Sequence, residues 1–196
     1  MQETKTKVMK KILTALIFAS VLIQVNGQSV FTTVPVVNGK VVFQQFIHID
    51  QELAADQRYA LLYKWGKDNY AGNPLLSGIR FDDKARSITV GSKIELLLPQ
   101  NSSGVREKVI MNYRFDASIT NAGCMLVVRD VTYQNTQSPN SSFFPKTFTA
   151  EETITSTAIS AVSGLDKEFR TNTQKSTLFY LNGLYTELSK IFNLSK

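Results

Sequence analysis

The sequence is poor in the residues that most often carry chemistry. It has one cysteine, Cys124, and one histidine, His48, among 196 residues. A lone cysteine excludes an intramolecular disulfide, a CxxC redox pair and a thiolate zinc site. A lone histidine excludes HxxxH metal spacing and, with no GxSxG present, leaves the familiar hydrolase arrangements without a base. The ten glycines are scattered, so no phosphate-cradling loop is written in the chain. Apolar runs are short as well. The longest, Ile12 to Val25, covers 14 residues, below the ~20 needed to span a bilayer.

That run has a different meaning. Lys5, Lys7, Lys10 and Lys11 precede it, and Val25-Asn26-Gly27 follows with small or medium side chains at the −3 and −1 positions. Residues 1–27 therefore read as a secretory signal peptide, with Gln28 as the mature start. An uncleaved anchor is the alternative. No cysteine follows the run, which excludes a lipid-modified amino terminus. The expected location is outside the cytoplasm, periplasmic or extracellular.

Export changes the charge argument. Four lysines and Glu3 lie in residues 1–27, which removes +3 of the formal +6 and leaves 18 basic and 15 acidic residues. A net of +3 is an ordinary soluble surface and makes no case for nucleic acid or anionic lipid.

What is present is a strand running into a helix, GKVVFQQFIHID followed by QELAADQRYALLYKW. Val41, Phe43, Ile47 and Ile49 share one parity and Gln44, His48 and Asp50 the other, the pattern of a half-buried strand. Gln45 and Phe46 break the alternation, which allows a local bulge. Asp50 is placed to cap the helix. Ala54, Leu61, Leu62 and Trp65 share a helix face, with Trp65 as its core anchor. His48 reads as a surface or marginal histidine.

Downstream the pattern is sheet. Asn73-Pro74 ends the helix, Ile79 and Phe81 mark a short strand, and Asp82-Asp83-Lys84 reads as a turn and not as a cation site. Ile88, Val90, Ile94, Leu96 and Leu98 follow at even parity, with Gly91-Ser92 a candidate bend. Val109, Met111, Tyr113, Phe115, Ala117 and Ile119 alternate without interruption. Met125, Val127, Val131 and Tyr133 continue the odd parity beyond Asn121-Ala122-Gly123. A three-residue loop with Gly123 left-handed would pair Thr120 with Cys124 and set odd opposite odd. That register places Arg114 opposite Asp130 as a cross-strand ion pair. Arg129 is then the misfit, falling opposite Phe115 on the core face, either at the core margin or as a ligand contact.

Residues 136–148 are rich in Ser, Asn and Pro and read as a linker, with Phe143, Phe144 and Phe148 pinning it to the body. Thr149-Ala-Glu-Glu152 is a capping box. Ile154, Ala158, Ala161, Val162, Leu165 and Phe169 form one helical stripe. A polar break at Arg170–Lys175 precedes a second, from Leu178 through Leu181, Leu184, Tyr185, Leu188 and Ile191 to Phe192. The first helix would cover the sheet. For the second, folding back, self-association and a membrane surface are alternatives. Lys175, Lys190 and Lys196 are too few for a polybasic lipid-binding helix. Asn101, Asn140 and Asn193 each open an N-x-S sequon.

In order, the chain is strand, helix, four strands, helix. The expected class is α+β: a curved antiparallel sheet of about five strands with helices on one face, β-α-β-β-β-β-α, over 28–135, and a C-terminal helical extension over 149–196. GKVVFQQFIHID, ALLYKWGKDNY, SGIRFDDKARSITVGSKIEL and VIMNYRFDASITNAGCMLVVRDVTY resemble a family of exported bacterial proteins, a domain of unknown function with a TBP-like fold. The resemblance covers about residues 36–135. It implies the fold and transfers no activity, cofactor or site residue. Function lives in sites and not in folds, and nothing in the strands nominates minor-groove binding.

The sequence nominates no catalytic, cofactor-binding or metal-ligating residue. The expected function is a non-catalytic binding or structural module of the bacterial cell envelope, with an unidentified protein or small-molecule partner. The alternative is an enzyme with a carboxylate and tyrosine site on the open face of the sheet.

Overall fold

The computed structural model describes residues 29–49, 53–135 and 146–193. The expected signal peptide, the Asp50 cap, Asn140, Phe143, Phe144 and Lys196 lie outside them. Strands β1 (Val36–Val37) and β2 (Lys40–Val41) form a small ribbon whose turn uses left-handed Asn38 and Gly39. Strand β3 (Phe43–His48) leads to helix α1 (Ala55–Tyr70). Strands β4 (Ser77–Asp82), β5 (Ser87–Gln100), β6 (Arg106–Ile119) and β7 (Gly123–Asn135) form a meander. Strand β3 closes the antiparallel order β3-β7-β6-β5-β4, and a short β8 (Thr147–Thr149) adds to β7. Helices α2 (Ala150–Thr153), α3 (Ser156–Ser160) and α4 (Gly164–Asn193) complete the chain.

Parity decides which face is covered. Val41, Phe43, Ile47, Ile88, Val90, Val109, Met111, Phe115 and Ala117 are buried in one core with Leu62 and Trp65 of α1. Leu181, Leu184, Leu188 and Phe192 of α4 belong to the same core, so the last apolar stripe lies on this chain's own sheet. Strand β3 pairs with β7 in unbroken register from Phe43 to His48, and no bulge forms at Gln45–Phe46. Strand β5 likewise runs straight through Gly91-Ser92. Its irregularity falls later, between Leu97 and Gln100, at the strand that carries Pro99, which has no N–H to give a ladder.

Helix α1 starts four residues later than a cap at Asp50 would set. Ala54 is its N-cap, and Gln57 Oε1 accepts from the Ala54 N–H at 3.0 Å. The face is narrower than expected too: Leu62, Trp65, Gly66 and Tyr70 are buried, while Ala54 and Leu61 are exposed. Gly66 is there because the helix lies flat on the sheet. A Cβ at this position would come within 2.8 Å of Ile79 Cδ1 and 3.1 Å of Ile88 Cδ1.

The β6–β7 hairpin corrects the expected register. Ile119 stands opposite Cys124, with four residues, Thr120 to Gly123, between them where three were expected. Gly123 has no positive φ. Its glycine is required by close approach instead, since an added Cβ would strike the Ile47 carbonyl oxygen and the Phe46 ring. The core-facing residues near the turn are therefore Cys124, Leu126 and Val128, all fully buried. Beyond them Asp130 takes φ 55 and the register shifts by one. This β-bulge returns Val131 and Tyr133 to the core. It also turns Arg129 outward, opposite Arg114 and not Phe115.

The tail departs from two uniform helices. The capping box forms as expected, with Glu152 N–H donating to Thr149 Oγ1 at 3.2 Å and Thr149 N–H to Glu152 Oε2 at 3.0 Å. Thr155 then recaps α3, and Gly164, at φ 58, starts α4. No break occurs at Arg170–Lys175. Thr171, Thr173 and Thr177 donate their hydroxyls to carbonyls one turn back at 2.8 Å, which lets polar side chains continue a helix even where they are buried. Arg170 Nη1 donates to the Glu152 and Ala158 carbonyls at 2.8 and 3.1 Å, tying both short helices to α4.

Candidate functional site

Two surfaces are built by this fold. The first is a groove of about 1330 Å³ running along α4 beside the second half of β5 and the amino-terminal segment. It exists because β4 pairs with β5 only as far as Ser92. Past that point β5 has no second strand neighbour, and α4 reaches over its edge, Ser176 Oγ donating to the Leu97 carbonyl at 3.3 Å and Asn172 Nδ2 to the Pro99 carbonyl at 3.4 Å. Apolar side chains stand open here. Phe179 is 83% exposed and Leu97 50%. Lys175, Arg106 and Lys190 also line the groove and have no ion pairs among the described residues.

The amino terminus closes one flank. Asn182 Oδ1 accepts from the Val30 and Phe31 N–H groups at 2.8 and 2.9 Å, and its Nδ2 donates to the Phe31 carbonyl at 2.9 Å. Phe31 is buried edge-on against Phe43 and Tyr185.

Tyrosines gather behind the groove. The Tyr113 and Tyr180 hydroxyls bond to each other, and Tyr70 and Trp65 pack beside them against Phe115. Burial, with mutual repulsion among the phenolates and Glu187, pushes the Tyr70 and Tyr180 phenols far above their usual range. Tyr133 is also pushed up by burial, while its bond to Thr177 Oγ1 at 2.8 Å opposes the shift.

The second surface is the helix-free face of the sheet. Its centre is Asp116, which accepts from Thr89 Oγ1 at 2.6 Å and from Arg129 Nε and Nη2 at 3.0 and 2.8 Å. Arg114 Nη2 lies 3.6 Å from its other oxygen. Partial burial pushes the carboxyl up, but Thr89 and the two guanidinium groups outweigh it and hold Asp116 below the usual carboxylate range. The tyrosines and this carboxylate are therefore on opposite faces, and the alternative pairing of the two on the open face is not brought together. The hydroxyl of Tyr59 does meet a carboxylate, Asp83, at 2.7 Å, but at the β4–β5 turn. Asp82 accepts from the Ala85 N–H at 2.8 Å, as a turn residue does. His48 is exposed with its ring edge-on to Phe46. Cys124 is fully buried, which pushes its thiol up to about 12.

Sequence reasoning missed the groove, since a strand outrunning its neighbour leaves no mark in composition. It also missed the clustering of Arg114, Arg129 and Asp116. The signal was present there: an arginine on an otherwise apolar parity.

No described helix is long and apolar enough to cross a membrane. No family model and no curated protein sequence matches the chain. Two solved structures share its architecture. One is a TBP-like protein from Parabacteroides distasonis, at a TM-score of 0.68 and 21% identity over 83% of this chain and 99% of that one. Another is a DUF4468 family protein from Bacteroides ovatus, at a TM-score of 0.65 and 18% identity over 84% of this chain and 92% of that one. At such identities the match establishes the fold: this chain is an α+β protein with the TBP-like fold, and its structural neighbours are bacterial proteins of that fold, one carrying only the name of a domain of unknown function.

Proposed function

We propose that this protein is an exported, non-catalytic binding module of the bacterial cell envelope, working through the groove beside α4. The observation that carries the reading is Phe179. It stands 83% exposed on a helix whose flanking positions Thr177 and Leu181 are fully buried, next to a strand edge with no strand partner. A large apolar side chain presented in a concave surface rimmed by cations suits a partner that is apolar and acidic. One contact near the expected mature start supports export. Val30 and Phe31, directly after the expected cleavage position, are already tied to α4 through Asn182. The non-catalytic reading draws on the direction of the shifts: among the described residues, every shifted phenol and the thiol go up, and Asp116, Glu151 and Glu152 go down. Groups moved away from neutrality are poorly matched to general acid–base work.

Two measurements test this. Amino-terminal sequencing of the envelope fraction should begin at Gln28, and a chain beginning at Met1 and found in the cytoplasm would remove the export reading. Anilinonaphthalene sulfonate, an apolar anion, should bind the folded protein saturably and lose about tenfold or more in affinity in Phe179→Asp at unchanged thermal midpoint. Equal binding by both proteins would remove the groove.

A further inference from the structure

We propose that the opposite, helix-free face carries an oxyanion-binding shelf formed by Arg80, Lys93 and Arg114 over a floor of Gly78 and Gly91, and that it takes the sulfate or phosphate esters of an acidic polysaccharide. The register places these residues together. Gly78 stands opposite Gly91, and Gly91 opposite Arg114. Arg80 is two residues along β4 and Lys93 two residues along β5, so all three cations leave the same face. A Cβ added at Gly78 or Gly91 would meet nothing within 4 Å. The floor is bare backbone that a ligand can approach closely.

Charge accounting favours an anion. The acids on this face are engaged elsewhere. Asp116 is held by Thr89 and Arg129, Glu95 pairs with Lys108 at 2.8 Å, Asp130 lies 3.5 Å from Arg129 Nη1, and Asp82, which keeps its charge, is turned to the Ala85 N–H at the far end of β4. Arg80 and Lys93 have no hydrogen-bond or ion-pair partner among the described residues. Arg114 keeps a buried Nε with none, and its only carboxylate contact among the described residues is long, at 3.6 Å. Three under-compensated cations thus surround two glycines.

The shape selects the class of ligand. Four residues of strand, roughly 13 Å, separate the Arg80 row from the Lys93 row, and the face is open. A string of oxyanions fits that spread better than one enclosed phosphate. A single-stranded nucleic acid would need aromatic rings on which to stack bases, and none flanks the two glycines. The surface is independent of the groove beside α4. The inference rests on the export reading only for where such a polymer would be met, so binding in solution tests it separately.

The mature chain, amide-labelled for NMR, is titrated with sulfated oligosaccharide, inorganic phosphate and a single-stranded oligonucleotide in turn. The expected result is saturable shifts at the Gly78 and Gly91 amides with the oligosaccharide, and at least about tenfold weaker binding of phosphate. Arg80→Glu and Lys93→Glu should each weaken binding about five- to tenfold, and Gly91→Val, which fills the floor without changing charge, by a similar factor. Lys64→Glu with Lys67→Glu, twice that charge change but placed on α1, should alter it less than about twofold. Affinity should fall steeply with added salt as counterions are released. Shifts that avoid Gly78 and Gly91, equal weakening by the α1 variants, or an oligonucleotide binding at least as tightly would each overturn the proposal.

Discussion

Asn182 grips both sides of the Phe31 peptide. Its Oδ1 accepts from the Phe31 N–H and its Nδ2 donates to the Phe31 carbonyl, each at 2.9 Å, across 151 residues of sequence. The segment around Phe31 and helix α4 are thereby held in one place. Phe31 fills the core beneath, so the side-chain amide does for this segment what a neighbouring strand would do.

Replacing Asn182 by Ala should loosen that segment. The three hydrogen bonds to it would go, two peptide N–H groups and one carbonyl would lose their partner, and Phe31 would be left anchored by packing alone. Partial exposure limits the net cost to about 1–2 kcal/mol. The check is limited proteolysis with mass spectrometry. Asn182→Ala should be clipped between Ser29 and Pro35 faster than wild type, while cleavage within β5 to β7 stays unchanged.

Two glycine-to-alanine changes should move stability in opposite directions. Both Gly66 and Gly183 lie within helices, where alanine is favoured by about 1 kcal/mol. At Gly183 nothing lies within 4 Å of the new Cβ, so Gly183→Ala should gain about that amount. At Gly66 the Cβ meets Ile79 Cδ1 at 2.8 Å, and Ile88, at 3.1 Å, is itself fully buried. Overpacking costs ~1–3 kcal/mol and outweighs the propensity gain, so Gly66→Ala should lose about 1 kcal/mol. Urea midpoints of the two variants settle it. A gain at both would mean that α1 rides farther from β4 than these distances say.

How much of this could be read from the chain follows the physics of each element. The strand faces of β3, β5 and β6 were legible because burial on one side imposes strict alternation, and Trp65 was legible as a core anchor from its helix face. The register of β7 was not. Its odd parity is real only from Val131 onward, and the left-handed Asp130 that joins the two halves is a backbone state that an aspartate does not announce. Arg129 was the visible trace, an arginine assigned to a core face where it could not stay. The continuity of α4 was hidden for another reason. Arg170–Lys175 looks like a break in an apolar stripe, yet a hydroxyl that bonds its own helix, as Thr173 does, is tolerated inside a core. The open face depended on the first of these, the register of β7. Only with the bulge in place do Arg114 and Arg129 become neighbours around one carboxylate.

Cys124 should be silent in the folded protein. Its side chain is fully buried at the start of β7 and its thiol is pushed up to about 12, so almost no thiolate forms at mildly alkaline pH, and thiolate is the reacting species. A disulfide reagent such as Ellman's should label none of the native protein over minutes and one thiol per chain once denaturant is added. Rapid native labelling would show that the β3–β7 end opens readily.

Asp116 should set part of the acid stability. Its folded pKa lies below the usual value because Thr89, Arg129 and Arg114 favour the carboxylate more than burial disfavours it. A depressed folded pKa means that the unfolded chain binds the proton first as pH falls. The contribution is thus fully present above the unfolded carboxylate value of ~3.9 and is lost as pH drops through the folded one. Asp116→Asn removes the charge but keeps the shape, and leaves Arg114 and Arg129 facing each other with only Asp130, 3.5 Å from Arg129 Nη1, in reach. At neutral pH the variant should be less stable by about 1–2 kcal/mol, the scale of hydrogen bonds to a charged group on a half-exposed surface. Denaturation followed from neutrality down to about pH 3 should show the two proteins converging as the wild-type carboxylate protonates. A gap that stays constant to the lowest pH would mean that the carboxylate's charge contributes nothing, and that the cluster is held by hydrogen-bond geometry alone.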